Sequence, residues 1–239
     1  MQYPEGPLGG MELGSAAGAQ GIGSLLVRPV RTDEVDQWDR LMATHHYLGM
    51  RRLVGESLRY VAEQGGQWLA LLGWGSAAFK CAPRDRWIGW TPEQQWRRLR
   101  YVVNNLRFLV LPDARRPNLA SQVLGANLRR LSRDWQAVFG HPILLVETFV
   151  DPRFAGGCYR AAGWQELGLT QGYGRNGGRY YFHGQPKRVW VRLLHRRGRE
   201  WLAAAFDAPS LCPGGPSMLD LNRLVEAHGG LVALLEGLP

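Results

Sequence analysis

Apolar positions recur along the middle of the chain with two alternating periods, one of strands and one of helices. Residues 25–30 (LLVRPV) read as a short strand. Thr32 then stands as a helix N-cap, with Asp33, Glu34 and Asp36 where acids suit the helix dipole. Val35, Trp38, Leu41 and Met42 share one face of that helix, which is predicted to run to about residue 44, and residues 45–49 (HHYLG) follow as a loop. Residues 58–62 and 68–79 read as two strands around a Gln64-Gly65-Gly66 turn. Residues 84–90 (RDRWIGW) show no clear period and read as irregular. Pro92 opens a helix predicted to residue 103, with Trp96, Leu99 and Val103 inward and Arg97, Arg98 and Arg100 outward.

Residues 106–111 form an apolar strand closed by Pro112, and residues 113–117 a basic loop. Asn118 is placed to cap a helix whose Leu119, Val123, Leu124, Leu128, Leu131 and Trp135 fall at helical spacing, stopped by Gly140 and Pro142. Residues 143–150 are a strand interrupted by Glu147. Residues 154–162 are a short helix ended by Gly163, and residues 164–169 and 189–194 are strands separated by a loop. The order β-α-β-β-(α)-β-α-β-α-β-β predicts one mixed α/β domain over residues 25–194. Residues 1–24, rich in Gly and Ala, read as a flexible leader. Residues 195–239 read as a basic linker and C-terminal helices, with Ser217 and Asp220 resembling a capping box.

Composition adds a charge argument. The net charge is +9, and of the 29 Lys+Arg residues only Lys80 and Lys187 are lysine. An arginine excess suits bidentate phosphate contacts and points to nucleic acid as partner; biased codon usage explains the same excess equally well. Arg97, Arg98, Arg129 and Arg130 are the candidate phosphate contacts, with Tyr180 and Tyr181 as base-stacking neighbours. No apolar run is long enough to span a membrane. Three scattered cysteines, Cys81, Cys158 and Cys212, fit a reducing cytoplasm better than a disulfide scaffold.

Four positions carry candidate chemistry before any family is invoked. His45 and His46 could act as base, although one packed and one solvated histidine is the plainer reading; without an HxxxH partner they predict no metal site. Glu147 in an apolar strand needs a partner or a raised pKa, so a salt bridge weighs as much as catalysis. Cys158 is either a nucleophile or a small buried hydrophobe.

Two resemblances follow from quoted strings. VRPV followed by TDEVDQW, and Tyr159-Arg160-Ala161-Ala162-Gly163-Trp164, resemble the GNAT (Gcn5-related N-acetyltransferase) pattern. That resemblance implies a GNAT-like sheet. In it the strands before and after the Asn118 helix are parallel neighbours that splay apart. It also implies a proton-donor role for Tyr159 and an acyl-coenzyme A pyrophosphate loop at Arg115, Arg116, Asn118 and Ala120. Asn118 stands where the family writes glycine and Pro117 removes an N–H, so weak acyl-coenzyme A binding or none is expected.

The strings HHYLG, WLALLGWGSAAFK, RDRWIGW, NNLRFLVLP, PNLASQVLGANLRRL and ETFVDPRFAGGCYRAAGW resemble the DruA-like family of Druantia anti-phage systems, also found beside transposases. This implies a nucleic-acid-directed accessory module of a mobile element or defence system, with an N-acyltransferase of the GNAT type as the alternative and a non-catalytic interaction module as a third reading. The tail from Ser217 resembles the opening helices of DDE-type transposases and offers a surface for a partner protein; no DDE core accompanies it.

Overall fold

The computed structural model describes residues 24–49, 53, 55–176 and 179–205, with the side chains of 175, 176, 179 and 180 left aside. The transposase-like tail therefore lies outside the described residues. Strands β1 (Leu26–Pro29), β2 (Ser57–Gln64), β3 (Gln67–Ser76), β4 (Val102–Val110), β5 (Leu145–Val150), β6 (Gln165–Leu169) and β9 (Arg188–Leu193) form one seven-stranded sheet in the order β1-β2-β3-β4-β5-β9-β6. Only β4 and β5 are parallel, over Val102↔Leu145, Val103↔Val146 and Asn104↔Glu147. They are joined by α4 (Leu119–Phe139), a crossover of the length that parallel neighbours need.

Period-two alternation puts the two faces of the sheet against different helices. Tyr60, Leu72, Val103 and Val146 pack with Val123, Leu124, Leu131 and Trp135 of α4 and with Tyr159 of α5 (Gly157–Ala161). On the other face Val61, Leu71 and Leu109 meet Trp38 and Met42 of α1 (Val35–His45). Val102, Leu145 and Val191 meet Ile88 of α2 (Ala82–Ile88), Tyr101 and Leu202 of α6 (Gly198–Ala203). Every apolar residue assigned to the inner stripe of α4 is buried there.

Local expectations fail at five points. A 3-10 turn, Thr32–Glu34, leads into α1, and Glu34 rather than Thr32 closes it: its carboxylate accepts the Arg31 N–H at 2.9 Å and pairs with Arg28 at 2.7 Å. Residues 84–88 of the stretch read as irregular belong to α2, whose inward side chains are Ile88 and the fully buried Arg84. The helix from Pro92 ends early: α3 is Pro92–Arg98, a 3-10 turn covers Leu99–Tyr101, and β4 begins at Val102, where two β-branched residues favour extension. Leu99 and Val103 face inward and Arg97 and Arg100 outward as expected, but Trp96 and Arg98 exchange places. Trp96 is 75% exposed, while Arg98 is buried and donates to the Leu202 carbonyl at 3.2 Å and to that of Ala204. The predicted loop at 172–188 contains a hairpin, β7 (Tyr173–Asn176) with β8 (Arg179–Phe182).

Candidate functional site

The β4–β5 pair parts just past Asn104 and Glu147. Against β3, the register of β4 runs Trp74↔Asn105 and then Gly73↔Arg107, so Leu106 is an inserted bulge residue. A bulge bends its strand, and here the bend turns β4 away from β5. The wedge that opens holds a cavity of about 430 Å3, lined among others by His46, Tyr47, Phe108, Thr148, Cys158 and Tyr159. Side chains replace the lost ladder. Thr148 Oγ1 donates to the Asn105 carbonyl at 3.0 Å, and the Tyr159 hydroxyl donates to Asn105 Oδ1 at 3.0 Å. Asn105 is itself oriented, because its Nδ2 donates to the Arg107 carbonyl at 3.1 Å and the Gly73 carbonyl at 3.4 Å.

The ionisable groups of the wedge stay neutral near pH 7. Burial pushes the Tyr159 hydroxyl up, and burial pushes the Cys158 thiol up. Cys158 is thus a thiol rather than a thiolate, a poor nucleophile. Burial, helped by the Arg107 charge, pulls His46 down to about 4. His46 Nδ1 accepts the Leu48 N–H at 3.2 Å, so a neutral ring carries its proton on Nε2 and is a donor rather than a base. His45 is exposed at the end of α1.

Glu147 faces away from the wedge. Its carboxylate is fully buried, accepts Arg84 Nη1 at 2.8 Å and the Ala78 N–H at 2.9 Å, and lines neither this cavity nor the larger one described below. Burial pushes its carboxyl up and the Arg84 guanidinium pulls it back. The salt-bridge reading of Glu147 is therefore the one the geometry supports.

The loop before α4 keeps Arg115, Arg116 and Asn118 exposed, with Ala120 in the first turn of the helix. Asn118 has φ +63°, the one non-glycine residue with positive φ among the described residues, so it takes the backbone shape for which glycine is usually needed. Arg116 Nη2 donates to Gln64 Oε1 at 2.8 Å. Leu119, the first residue of α4, packs in the same core as Tyr159.

The phosphate-contact candidates do not form one free surface. Arg98 is buried as described. Arg130 pairs with Asp134 and donates to the Val27 carbonyl at 2.7 Å. Arg97 is exposed but pairs with Glu93 at 2.9 Å, and Arg129 is exposed on α4. Tyr181 is exposed on β8, and Tyr180 lies on the same strand with its side chain outside the description.

Sequence reasoning missed Asn105, Thr148, Tyr47 and Phe108. Asn104-Asn105 inside an otherwise apolar strand was the available signal, since a strand buried on both faces has no use for two amides unless they bond. Among the described residues no cluster of three or more His, Cys, Asp or Glu could hold a metal, and no helix is long and apolar enough to cross a membrane.

A family model described as Druantia protein DruA matches residues 20–180. No curated protein matches. Several solved acetyltransferase structures resemble the fold. An aminoglycoside acetyltransferase in complex with coenzyme A is 14% identical, covering 74% of this chain and 98% of its own, with a TM-score of 0.48. The ribosomal-protein-S18-alanine N-acetyltransferase of Escherichia coli is 12% identical, covering 72% and 94%, with a TM-score of 0.45. The spermidine N-acetyltransferase of Vibrio cholerae, solved with coenzyme A and spermine, is 11% identical, covering 71% and 95%, with a TM-score of 0.45.

Proposed function

The chain belongs to the DruA family, and from that premise and the wedge geometry we propose that it is an acyl-coenzyme A-dependent N-acyltransferase serving a Druantia-type defence system. The observation that carries this is the Leu106 bulge, which parts β4 from β5 directly beside an oriented, protonated Tyr159.

The residues fit the group in most respects. The wedge between β4 and β5 is a cavity of about 430 Å3 lined by the rings of Phe108, Phe154 and Tyr47. Arg115 and Arg116 are exposed in the loop just before α4, where N–H groups at a helix start and cationic side chains suit phosphates. The αL backbone at Asn118 restores the loop shape that the substitution had put in question, while Pro117 still withholds one donor. When bound, the thioester supplies the acyl group and a thiolate leaving group. Tyr159 holds a proton at its hydroxyl oxygen that Asn105 Oδ1 accepts at rest. Rotation about the ring C–O bond would turn that proton to a developing thiolate, and the proton lost by the attacking amine would restore it. His46 presents Nε2–H as a neutral donor.

Free-thiol release from acetyl-coenzyme A, measured with a panel of primary amines, tests the reading. Tyr159→Phe should slow release about a hundredfold with little change in acetyl-coenzyme A affinity. Turnover unchanged in Tyr159→Phe contradicts it. The nucleic-acid reading of the helical arginines has less support, because Arg98 and Arg130 are already committed to bonds within the fold.

A further inference from the structure

A second and larger cavity, about 750 Å3, lies across Phe149 from the wedge. That volume is within the usual range of small-molecule sites. One wall is the segment from Ala78 to Asp85; the other is the base of the β7–β8 hairpin.

The hairpin is tied down at its root. The Thr170 N–H donates to the Lys187 carbonyl and the Lys187 N–H to Thr170 Oγ1, each at 2.9 Å, and the His183 N–H donates to the Gly172 carbonyl at 2.9 Å. From this fixed base Tyr173 and Tyr181 flank the cavity, 58% and 52% exposed. The Tyr181 ring leans on residue 174, where a Cβ would lie 2.9 Å from Tyr181 Cζ; only glycine lets the ring approach the backbone so closely. Two aromatic rings are thus held at a cavity mouth instead of being packed away.

The charges there are of a distinct kind. Lys80 and Lys187, the only lysines in a chain that otherwise uses arginine, both line this one cavity. Asp85, the acid on the same wall, accepts Arg84 Nη2 at 2.7 Å, the Trp90 indole at 3.1 Å and the Cys81 N–H at 3.1 Å. Asp151, the acid whose charge reaches Lys187, is held by Arg153 at 3.0 Å. A lysine ammonium meets phosphate as a compact point charge, and an exposed tyrosine face takes a base by stacking.

We infer that this cavity binds a nucleotide, with its base stacked on Tyr181 and its phosphate held by Lys80 and Lys187. The inference is independent of the acyl-transfer reading, which concerns the wedge on the other side of Phe149. The same chemistry could come from a free mononucleotide or from one unit of a single strand.

The test is a titration of the full chain with adenosine 5'-monophosphate, adenosine and a four-nucleotide single strand at about 50 mM salt. Saturable binding of the monophosphate is expected. Tyr181→Ala should weaken it about tenfold or more. Lys187→Gln and Lys80→Gln should weaken the monophosphate but not adenosine, and Arg133→Ala, at an exposed position of α4 away from the cavity, should change neither. Thermal melting confirms that the variants fold, since each replaced side chain is at least partly exposed. If the strand binds more than about tenfold tighter than the monophosphate, the source is a strand; if the two bind alike, it is a free nucleotide. Absence of saturation by both at about 1 mM, or binding indifferent to Tyr181→Ala and to both lysine replacements, overturns the inference.

Discussion

Arg84 and Glu147 show how a single buried partner decides what a carboxylate can do. Both side chains have no exposed surface, and each meets the other at 2.8 Å, so neither is available to a substrate. Arg84→Met should cost about 3–5 kcal/mol in urea unfolding because it strands a buried charge, whereas the double replacement Arg84→Met with Glu147→Leu should recover most of that loss. At Tyr159 the partner is Asn105, and Tyr159→Phe should lower stability by only about 1 kcal/mol while removing the proton donor. His46 gives a pH signature. Its pKa is near 4 in the fold against 6.5 when exposed, so between these values the unfolded chain takes up a proton that the folded chain resists. Stability should therefore fall as pH drops from about 6.5 to about 4, and His46→Ala should flatten that part of the profile in denaturation measured across pH.

At the scale of elements, the long amphipathic helix α4 and the turn at Gly65-Gly66 were plain in the sequence, because one carries a clean 3.6-residue stripe and the other two adjacent glycines, at φ +58° and +79°. Helix α2 was hidden by Arg84, a charge at the position where the pattern expects an apolar residue. In α3 the pattern misplaced two residues: Trp96 looks like a core residue and Arg98 like a surface one, but the carbonyls of Leu202 in α6 and of Ala204 just after it give Arg98 a buried set of acceptors. No local periodicity reports such a partner a hundred residues away. The wedge was legible only as a fold expectation. The Leu106 bulge leaves no residue signature, and Asn105 acquires its role only when Tyr159 is brought to it by α5. Asn118 is a sharper case. Because its backbone is αL, Asn118→Gly should be neutral or slightly stabilising, while Asn118→Val should cost about 1–2 kcal/mol by thermal or urea unfolding.

For the whole molecule, a parallel strand pair that splays within an otherwise antiparallel sheet leaves one opening between β4 and β5, and a hairpin inserted between β6 and β9 builds a second chamber beside it. Phe149 of β5 lines both. The net +9 charge is spread over arginines of which several are internal ties, so charge reversal at Arg98 should unfold the domain before it reports on any anionic partner, whereas reversal at Arg129 should leave it folded. Circular dichroism melting of the two variants separates these outcomes. The central claim is that the wedge receives an acyl thioester, and calorimetric titration with acetyl-coenzyme A tests it most directly. A saturable dissociation constant of about 10–100 μM, near −6 kcal/mol, is expected, weakened by the lost Pro117 donor and further weakened by Arg115→Ala. No heat of binding from the folded protein at about 1 mM ligand would contradict it.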